Sequence, residues 1–154
     1  MNMKILGAFA AVALLAACSN SSTPTPATAA ASQGIVPGSQ EDLVANVGDR
    51  VFFAFNTQAL QADAKATLDK QAAWLGKYPQ NNVQIAGNCD ERGTEEYNIA
   101  LGNRRASSAR DYLAAKGVAG GRMSTISYGK DRPTALGSTE EAWAQNRNAI
   151  TSVK

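Results

Sequence analysis

The chain has 154 residues, and 44% of them are hydrophobic, so its length and composition allow one domain of ordinary size with a hydrophobic core. Its formal net charge of +2 is too close to balance for a nucleic-acid-binding protein, for which we expect a basic face and a much higher pI. The sequence contains no histidine, which removes the commonest general base and the commonest metal ligand. We therefore expect no nucleic-acid partner, no metal, no cofactor and no catalytic site.

Residues 1–17 have the pattern of a secretory signal peptide. Lys4 is their one charged residue, and the apolar run that follows it, Ile5 to Ala17, is shorter than the roughly 20 residues that cross a bilayer. The run ends in Leu15-Ala16-Ala17-Cys18, which resembles the lipobox of bacterial lipoproteins. By that resemblance the Cys18 thiol receives a diacylglycerol group, the signal peptide is cut before Cys18, and the new amine is acylated. Ser19 stands where lipoproteins held at the inner membrane often carry Asp, so the resemblance implies the outer membrane. An ordinary signal peptide with an incidental cysteine is the alternative.

Residues 18–45 are predicted to form the lipidated cysteine and a flexible linker. The segment from Ser19 to Gln40 carries no charge and is rich in Ser, Thr, Pro and Ala. Such a composition buries too little apolar surface to offset the entropy of ordering the chain. We interpret the segment as a flexible tether between a membrane anchor and a domain that works at a distance from it. A spacer of no particular length is the alternative.

Residues 46–154 are predicted to form one α/β domain in which helices alternate with strands. The β-branched and aromatic run from Arg50 to Phe55 predicts a strand buried on both faces. An apolar stripe at helical spacing predicts a first helix that ends before Pro79, and Asn82 to Ala86 predicts a second strand. The stripe consists of Leu60, Ala64, Leu68, Ala72 and Leu75.

A second helix is predicted to begin after Thr94, because a hydroxyl residue followed by two acids stabilises a helix N-terminus, and to run to about Lys116. Arg122 to Tyr128 predicts a third strand, Glu140 to Gln145 a short helix, and Arg147 to Val153 a final edge strand. The order β-α-β-α-β-(short α)-β predicts a two-layer sandwich with the helices packed on one face of a mixed sheet.

The loop between the second strand and the second helix is predicted to hold the functional site. It is bounded by Gly87 and Gly93, which we expect to serve backbone geometry. Asp90 in this loop suits an ammonium group, and Arg105 on the following helix can bind a carboxylate with two hydrogen bonds. One carboxylate and one guanidinium at these positions predict a receptor for a small zwitterion and not an enzyme.

Four motifs in residues 51–154 resemble the family of the C-terminal domain of outer-membrane protein A. Within that family, the resemblance is closest to the wall-binding lipoproteins of the Tol–Pal system. The motifs are Phe53-Ala-Phe55-Asn56, the loop from Gly87 to Thr94, the helical segment from Tyr97 to Ala106, and Tyr128 to Pro133 together with Asn146-Arg147.

The resemblance implies that the protein binds peptidoglycan non-covalently through the diaminopimelate of the stem peptide. By matching position, Asp90 binds the diaminopimelate ammonium and Arg105 binds a carboxylate. The further pocket residues implied by matching position are Asn98, Leu101, Phe55 and Asn56.

Three positions depart from the family pattern: Asn56 replaces an Asp, Asn88 a His and Cys89 a Thr. We expect these changes to alter hydrogen bonding around the pocket and to leave the recognition of an amine and a carboxylate intact.

The same resemblance implies a protein at the periplasmic face of the outer membrane, anchored in lipid through acylated Cys18. It further implies a periplasmic Tol propeller protein as partner, and a role in envelope integrity and cell division. A wall-anchoring lipoprotein of the same fold without a Tol link is one alternative. An enzyme acting on the wall, with carboxylate or cysteine chemistry, is the other.

Several residues have plainer interpretations. Asp90 can pair with Arg92 or with turn amides instead of a ligand, and Arg105 can be solvated surface. We also expect a structural ion pair from Arg104, core positions for Tyr97 and Tyr112, and a structural role for Arg147. If Cys18 is acylated, Cys89 has no partner within the chain, and we expect either a buried thiol or an occasional intermolecular bridge there.

Overall fold

The computed structural model describes residues 34–154, and one four-stranded sheet organises them. The last strand in sequence pairs antiparallel with both the first and the second, while the second and third strands are parallel. The strands are β1 (Arg50–Phe52), β2 (Val83–Asn88), β3 (Met123–Gly129) and β4 (Asn148–Val153), and their order in the sheet is β1-β4-β2-β3.

Helices form the second layer, which confirms the predicted two-layer α/β fold. The longest helix packs against β2, β3 and β4, and the next longest packs against β1 and the longest helix. The helices are α1 (Gln40–Asp42), which a π-helical segment continues (Leu43–Val47), α2 (Ala62–Lys77), α3 (Glu95–Ala115), a 3-10 turn (Gly120–Arg122) and α4 (Glu140–Asn146).

A hydrophobic core lies between the sheet and the helices α2 and α3. Leu68 and Leu75 of α2 and Leu113 of α3 meet Val83 and Ile85 of β2, and each of these side chains is at most 1% exposed. Burying an aliphatic side chain of this size stabilises the fold by roughly 1.5–3 kcal/mol. The apolar stripe predicted from helical spacing is therefore the face of α2 that meets the core, except for Leu60, which packs against the core just before the helix begins at Ala62.

The helix ends follow the local signals in the sequence. The Thr94 hydroxyl accepts a hydrogen bond from the Tyr97 main-chain N at 3.2 Å and so caps the N-terminus of α3. After the C-terminus of α3, Gly117 has a φ of 96°, a left-handed conformation that glycine adopts without strain. The helix α2 ends at Lys77, just before Pro79.

The first strand is shorter and more exposed than the sequence predicts. β1 covers Arg50–Phe52 and lies at one edge of the sheet, with Phe52 38% exposed. The prediction of a strand buried on both faces is therefore wrong. Only Val51 of this strand faces the core, and the chain leaves the sheet before Phe55.

The prediction that the last strand lies at an edge is also wrong, because β4 lies between β1 and β2. Its buried residues include the polar Asn148 and Thr151, which are 0% and 2% exposed. The Thr151 hydroxyl donates to Gln71 Oε1 at 3.0 Å, so α2 supplies the partner for this buried group. Such polar residues resemble those of an exposed strand, and only the tertiary contacts reveal that they are buried.

Ordered structure begins earlier than residue 46, the predicted start of the domain. Leu43, in the π-helical segment, is 0% exposed and belongs to the core. Asp42 accepts hydrogen bonds from Gly38 N at 2.7 Å and from Trp74 Nε1 at 2.9 Å, which ties this segment to α2. The predicted signal peptide, Cys18 and the linker up to residue 33 lie outside the described residues. Within residues 34–154, no helix has the length and apolar character needed to span a membrane.

Candidate ligand-binding site

A cavity of about 360 Å³ opens between the loop after β2, the first turns of α3 and the turn after β1. We call it the α3 cavity. All six residues predicted to bind ligand line it, and the loop and helix add four more. The lining residues are Phe55, Asn56, Cys89, Asp90, Arg92, Gly93, Tyr97, Asn98, Leu101 and Arg105.

Glycines at the two ends of the loop after β2 serve its backbone geometry in different ways. A Cβ atom at Gly87 would overlap the main-chain oxygen of Gly102 on α3, so neither strand nor helix could keep its place. Gly93, at the other end of the loop, has a φ of 92°. The predicted backbone role of Gly87 and Gly93 is therefore confirmed.

Arg105 is a buried cation at the base of the cavity. It is 1% exposed and donates to the main-chain oxygens of Thr57 at 2.9 Å, Asn88 at 2.9 Å and Ala54 at 3.1 Å. It forms no ion pair with any residue in the range 34–154. Burial lowers the pKa of Arg105 because a charged guanidinium loses hydration there. Arg105 is therefore not a solvated surface residue, which was the alternative interpretation of its sequence position.

Asp90 lies in the same cavity but is already paired. It is 4% exposed, and its carboxylate accepts from Arg92 Nη2 at 2.6 Å and from Arg147 Nη1 at 3.4 Å. Burial acts to raise the pKa of Asp90, but the hydrogen bonds from Arg92 and Arg147 outweigh it and hold that pKa below its ordinary value. The plainer interpretation, a pair with Arg92 and with a turn amide, is thus present in the structure.

Arg92 also lines the cavity, although it was not among the six residues predicted to bind ligand. Its guanidinium lies between two aromatic rings, 4.1 Å from the centroid of Phe55 and 4.0 Å from that of Trp143. The indole of Trp143 in turn donates to Glu91 at 3.0 Å. Since Phe55 and Trp143 are far apart in sequence, no local pattern could reveal this stack, although Arg92 itself lies within the loop motif.

Asn98 and Cys89 hold the loop after β2 in place through hydrogen bonds. Asn98 is 2% exposed and donates to the main-chain oxygen of Arg92 at 2.9 Å, while the Cys89 thiol donates to the Asn98 oxygen at 3.4 Å. Burial raises the pKa of Cys89, so the thiol stays protonated at neutral pH. Of the two states predicted for Cys89, the structure shows the buried thiol. Residues 34–154 hold no group of three or more His, Cys, Asp and Glu placed to bind a metal ion.

The mouth of the cavity is aromatic and exposed. Phe55 and Tyr97 are 59% and 43% exposed, and the Tyr97 hydroxyl donates to the Asn56 side-chain oxygen. Asn56 has a φ of 55°, an unusual left-handed conformation for a residue other than glycine. The predicted core position of Tyr97 is wrong, because this side chain projects from the first turn of α3 to the surface.

Arg104 also differs from its prediction. It is exposed, lies 6.0 Å above the ring of Tyr97, and forms no ion pair within residues 34–154. Tyr112 packs against the core, as predicted. Arg147 is structural as predicted, because it is buried and joins Asp90 to the main-chain oxygen of Phe53 at 3.0 Å. Asn88, one of the three departures from the family pattern, bonds Asn148 at 2.8 Å and does not line the cavity.

Comparison with known proteins agrees with this fold. Residues 52–147 match the OmpA family. A crystal structure of the peptidoglycan-associated lipoprotein from Burkholderia pseudomallei superposes with a TM-score of 0.67 at 42% identity, over 69% of this chain and 90% of that one. The C-terminal domain of Helicobacter pylori MotB superposes with a TM-score of 0.65 at 21% identity, which shows a common fold.

Proteins of similar sequence show to which group within the OmpA family this chain belongs. The peptidoglycan-associated lipoprotein of Rhizobium meliloti (strain 1021) is 56% identical over 115 residues, which are 75% of this chain and 65% of that protein. The peptidoglycan-associated lipoprotein of Mesorhizobium japonicum is 45% identical over 152 residues, which are 97% of this chain and 90% of that protein. The chain belongs to the OmpA family and, within it, to the peptidoglycan-associated lipoproteins.

Proposed function

We propose that this protein is an outer-membrane lipoprotein that binds peptidoglycan non-covalently through the diaminopimelate of the stem peptide. The observation that carries the proposal is a buried guanidinium, Arg105, that lacks a carboxylate partner in residues 34–154 and lines the same cavity as Asp90. The relatives in Rhizobium meliloti and Mesorhizobium japonicum are named peptidoglycan-associated lipoproteins, which supports the same ligand class.

Arg105 is the proposed carboxylate-binding residue. A guanidinium carries five N–H donors, and three of those of Arg105 donate to main-chain oxygens, so two remain for a ligand. A carboxylate there replaces the hydration that Arg105 loses on burial, and hydrogen bonds between ionised groups are stronger than neutral ones. The main-chain contacts also hold the guanidinium in one orientation before the ligand arrives.

The size and lining of the cavity suit one amino-acid side chain better than a glycan strand. Its volume of about 360 Å³ is near the lower end of ligand sites. Phe55, Tyr97 and Leu101 offer apolar surface to the methylene groups of diaminopimelate. The free end of diaminopimelate carries both an ammonium and a carboxylate, for which Asp90 and Arg105 are the partners. Lysine, which has the ammonium alone, leaves Arg105 unpaired.

We propose binding without turnover. The one cysteine in the cavity, Cys89, has a raised pKa, and the sequence has no histidine to activate it as a nucleophile. The alternative of a wall-acting enzyme predicts that the protein releases muropeptides from sacculi. Chromatography of the supernatant decides between the two, because a binding protein releases none.

The anchor and the partner belong to the same proposal. Acyl chains on Cys18 hold one end of the protein in the outer membrane, and the chain between Cys18 and the helical segment that begins at Gln40 links it to the wall-binding domain. Mass spectrometry of the mature N-terminus tests this, and an unmodified Cys18 contradicts it. A periplasmic Tol propeller protein is the proposed partner in cell division. If mild crosslinking recovers no such partner, the alternative of a wall-anchoring lipoprotein without a Tol link is favoured.

The central experiment is co-sedimentation with isolated sacculi. We expect Asp90→Ala and Arg105→Ala to reduce affinity more than tenfold, since truncating one partner of a desolvated pair costs about 2–5 kcal/mol. Arg132→Ala is the matched control, because Arg132 is an exposed arginine outside the cavity, and it should bind as the wild type does. Circular dichroism checks that each variant is folded.

A second measurement avoids mutation altogether. A soluble muropeptide that carries diaminopimelate should release the wild-type protein from sacculi, and the same muropeptide with lysine in that position should not. Equal release by both peptides, or folded Asp90 and Arg105 variants that bind as well as the wild type, contradicts the proposed site.

A further inference from the structure

Both oxygens of the Asp90 carboxylate are occupied by donors of the protein itself. Oδ1 accepts from the main-chain N and from Nε of Arg92, both at 3.1 Å. Oδ2 accepts from Arg92 Nη2 at 2.6 Å and from Arg147 Nη1 at 3.4 Å. A carboxylate offers about four lone-pair sites, so none is free for a ligand. One donor must leave before an ammonium group can bind Asp90.

The Arg92 side chain is the donor that can leave. The main-chain N of Arg92 is held in place by the turn, so it cannot leave Asp90 as the side chain can. Arg147 has a side chain that is 8% exposed, and it also donates to the main-chain oxygen of Phe53 at 3.0 Å and to Glu140 at 2.8 Å. The Arg92 side chain is 31% exposed and makes its short hydrogen bonds to Asp90 alone. The carboxylate of Glu140, which is exposed, already forms an ion pair with Arg92 Nη1 at 3.8 Å and can keep the guanidinium paired after it leaves Asp90.

The charges of the groups around Asp90 also favour displacement of the Arg92 side chain. Three guanidinium groups, of Arg92, Arg105 and Arg147, lie around the cavity, against two carboxylates, of Asp90 and Glu140. An ammonium that entered beside Arg92 would add a fourth cation at a site of low dielectric, where like charges repel strongly. An ammonium that replaces the Arg92 guanidinium leaves the charge around Asp90 unchanged.

We propose that Arg92 occupies the ammonium subsite in the ligand-free protein and that the ammonium of diaminopimelate displaces it. Arg92 is then an internal competitor that sets the affinity of the site. This inference rests on the proposed function. It also adds a selectivity: a diaminopimelate whose second amine is already bound in a peptide cross-link has no ammonium, and so it leaves Arg92 in place. The protein therefore prefers stem peptides in which this amine is free.

Removal of the competitor is the first test. In the full-length protein, we expect Arg92→Ala to bind a soluble diaminopimelate muropeptide about tenfold more tightly by calorimetry, because no part of the binding energy is used to expel Arg92. Arg132→Ala is the matched control. Arg132 also stacks on an aromatic ring, 3.7 Å from the centroid of Tyr128, but outside the α3 cavity, so its removal should leave the affinity unchanged. Unchanged or weaker binding by Arg92→Ala overturns the inference.

Trp143 reports the movement itself. Its ring is in contact with the Arg92 guanidinium, so we expect its fluorescence to change as the muropeptide saturates the wild-type protein, and the change to vanish in Trp143→Phe. Saturation without a change at Trp143 shows that Arg92 stays, and overturns the inference. The two proposals fail separately: wild-type binding with an unimproved Arg92→Ala rejects the competitor alone, whereas a wild type that binds no muropeptide rejects the site and the competitor together.

Discussion

Adjacent arginines on α3 have opposite surroundings. Arg104 is exposed, while Arg105 is 1% exposed and donates to three main-chain oxygens, of Ala54, Thr57 and Asn88. These oxygens belong to the segment after β1 and to the end of β2, so one side chain joins three parts of the chain around the cavity. Arg105 therefore stabilises the site as well as presenting a charge to a ligand.

This double role predicts a large loss of stability when Arg105 is truncated. We expect Arg105→Ala to lower the free energy of unfolding by about 3 kcal/mol, because buried main-chain oxygens lose their donors. Arg104→Ala, one residue earlier on the same helix, should change it by less than about 0.5 kcal/mol. Urea denaturation of both variants measures the difference, and equal losses would show that the main-chain contacts of Arg105 contribute nothing.

The sequence predicted which residues line the cavity, but it did not predict all the contacts that these residues make. The six residues assigned by resemblance all line the α3 cavity, although their role in binding remains a prediction. The stacking of Arg92 between Phe55 and Trp143 could not be predicted, because it depends on how the turn after β1 and the helix α4 fold together. A spacing rule describes neighbours on one helix and carries no information about such a contact.

At the scale of elements, the crossing of β2 and α3 depends on a contact between two glycines. Gly87 lies at the end of β2 and Gly102 in the middle of α3, and the space between their backbones does not admit a methyl group. Since Asp90 follows this strand and Arg105 lies one turn further along the helix, the crossing fixes the geometry of the cavity.

The contact predicts that Gly87→Ala is strongly destabilising. We expect a loss of about 2–3 kcal/mol in the free energy of unfolding, because the backbones must separate to admit the Cβ atom. Gly121→Ala is the control, since nothing lies within 4 Å of a Cβ atom there. Thermal denaturation compares the two, and a Gly87→Ala protein as stable as the control would mean that the crossing yields easily.

The helices and the positions of the strands along the chain were predictable, but the order of the strands in the sheet was not. α2 and α3 follow from apolar spacing, a threonine cap and a terminating glycine or proline, which are all local signals. The places of β1 and β4 in the sheet depend on which strands pair, and the sequence of a strand does not state its neighbours. The polar residues of β4 made the wrong position look reasonable, because their partners lie on other elements.

At the scale of the whole molecule, three aspartates join separate elements. Asp42 ties the N-terminal helical segment to Trp74 of α2, Asp69 of α2 pairs with Lys116 after α3 at 2.8 Å, and Asp90 pairs with Arg147 before β4. Hydrogen bonds at all three hold the pKa below the ordinary aspartate value of 3.8. The folded state therefore prefers these groups ionised.

The direction of these pKa shifts predicts the response to acid. Stability from the three aspartates is fully present above their ordinary pKa of 3.8 and is lost as the pH falls through their lower folded values. We expect the melting temperature to fall steeply below about pH 4, and Asp90→Asn to fall less steeply than the wild type. A wild-type melting temperature that stays constant down to about pH 2 would contradict this.

The central place of β4 constrains when the sheet can be completed. The sheet has three strand pairings, and two of them, β1 with β4 and β4 with β2, need residues 148–153. In the described part of the chain, β1 pairs with no other strand. While a ribosome or a translocation channel still holds these residues, β1 has nothing to pair with. The sheet therefore cannot be completed until β4 is free to enter between β1 and β2, so the joining of β1 to the other strands depends on a contact between residues that are far apart in the chain.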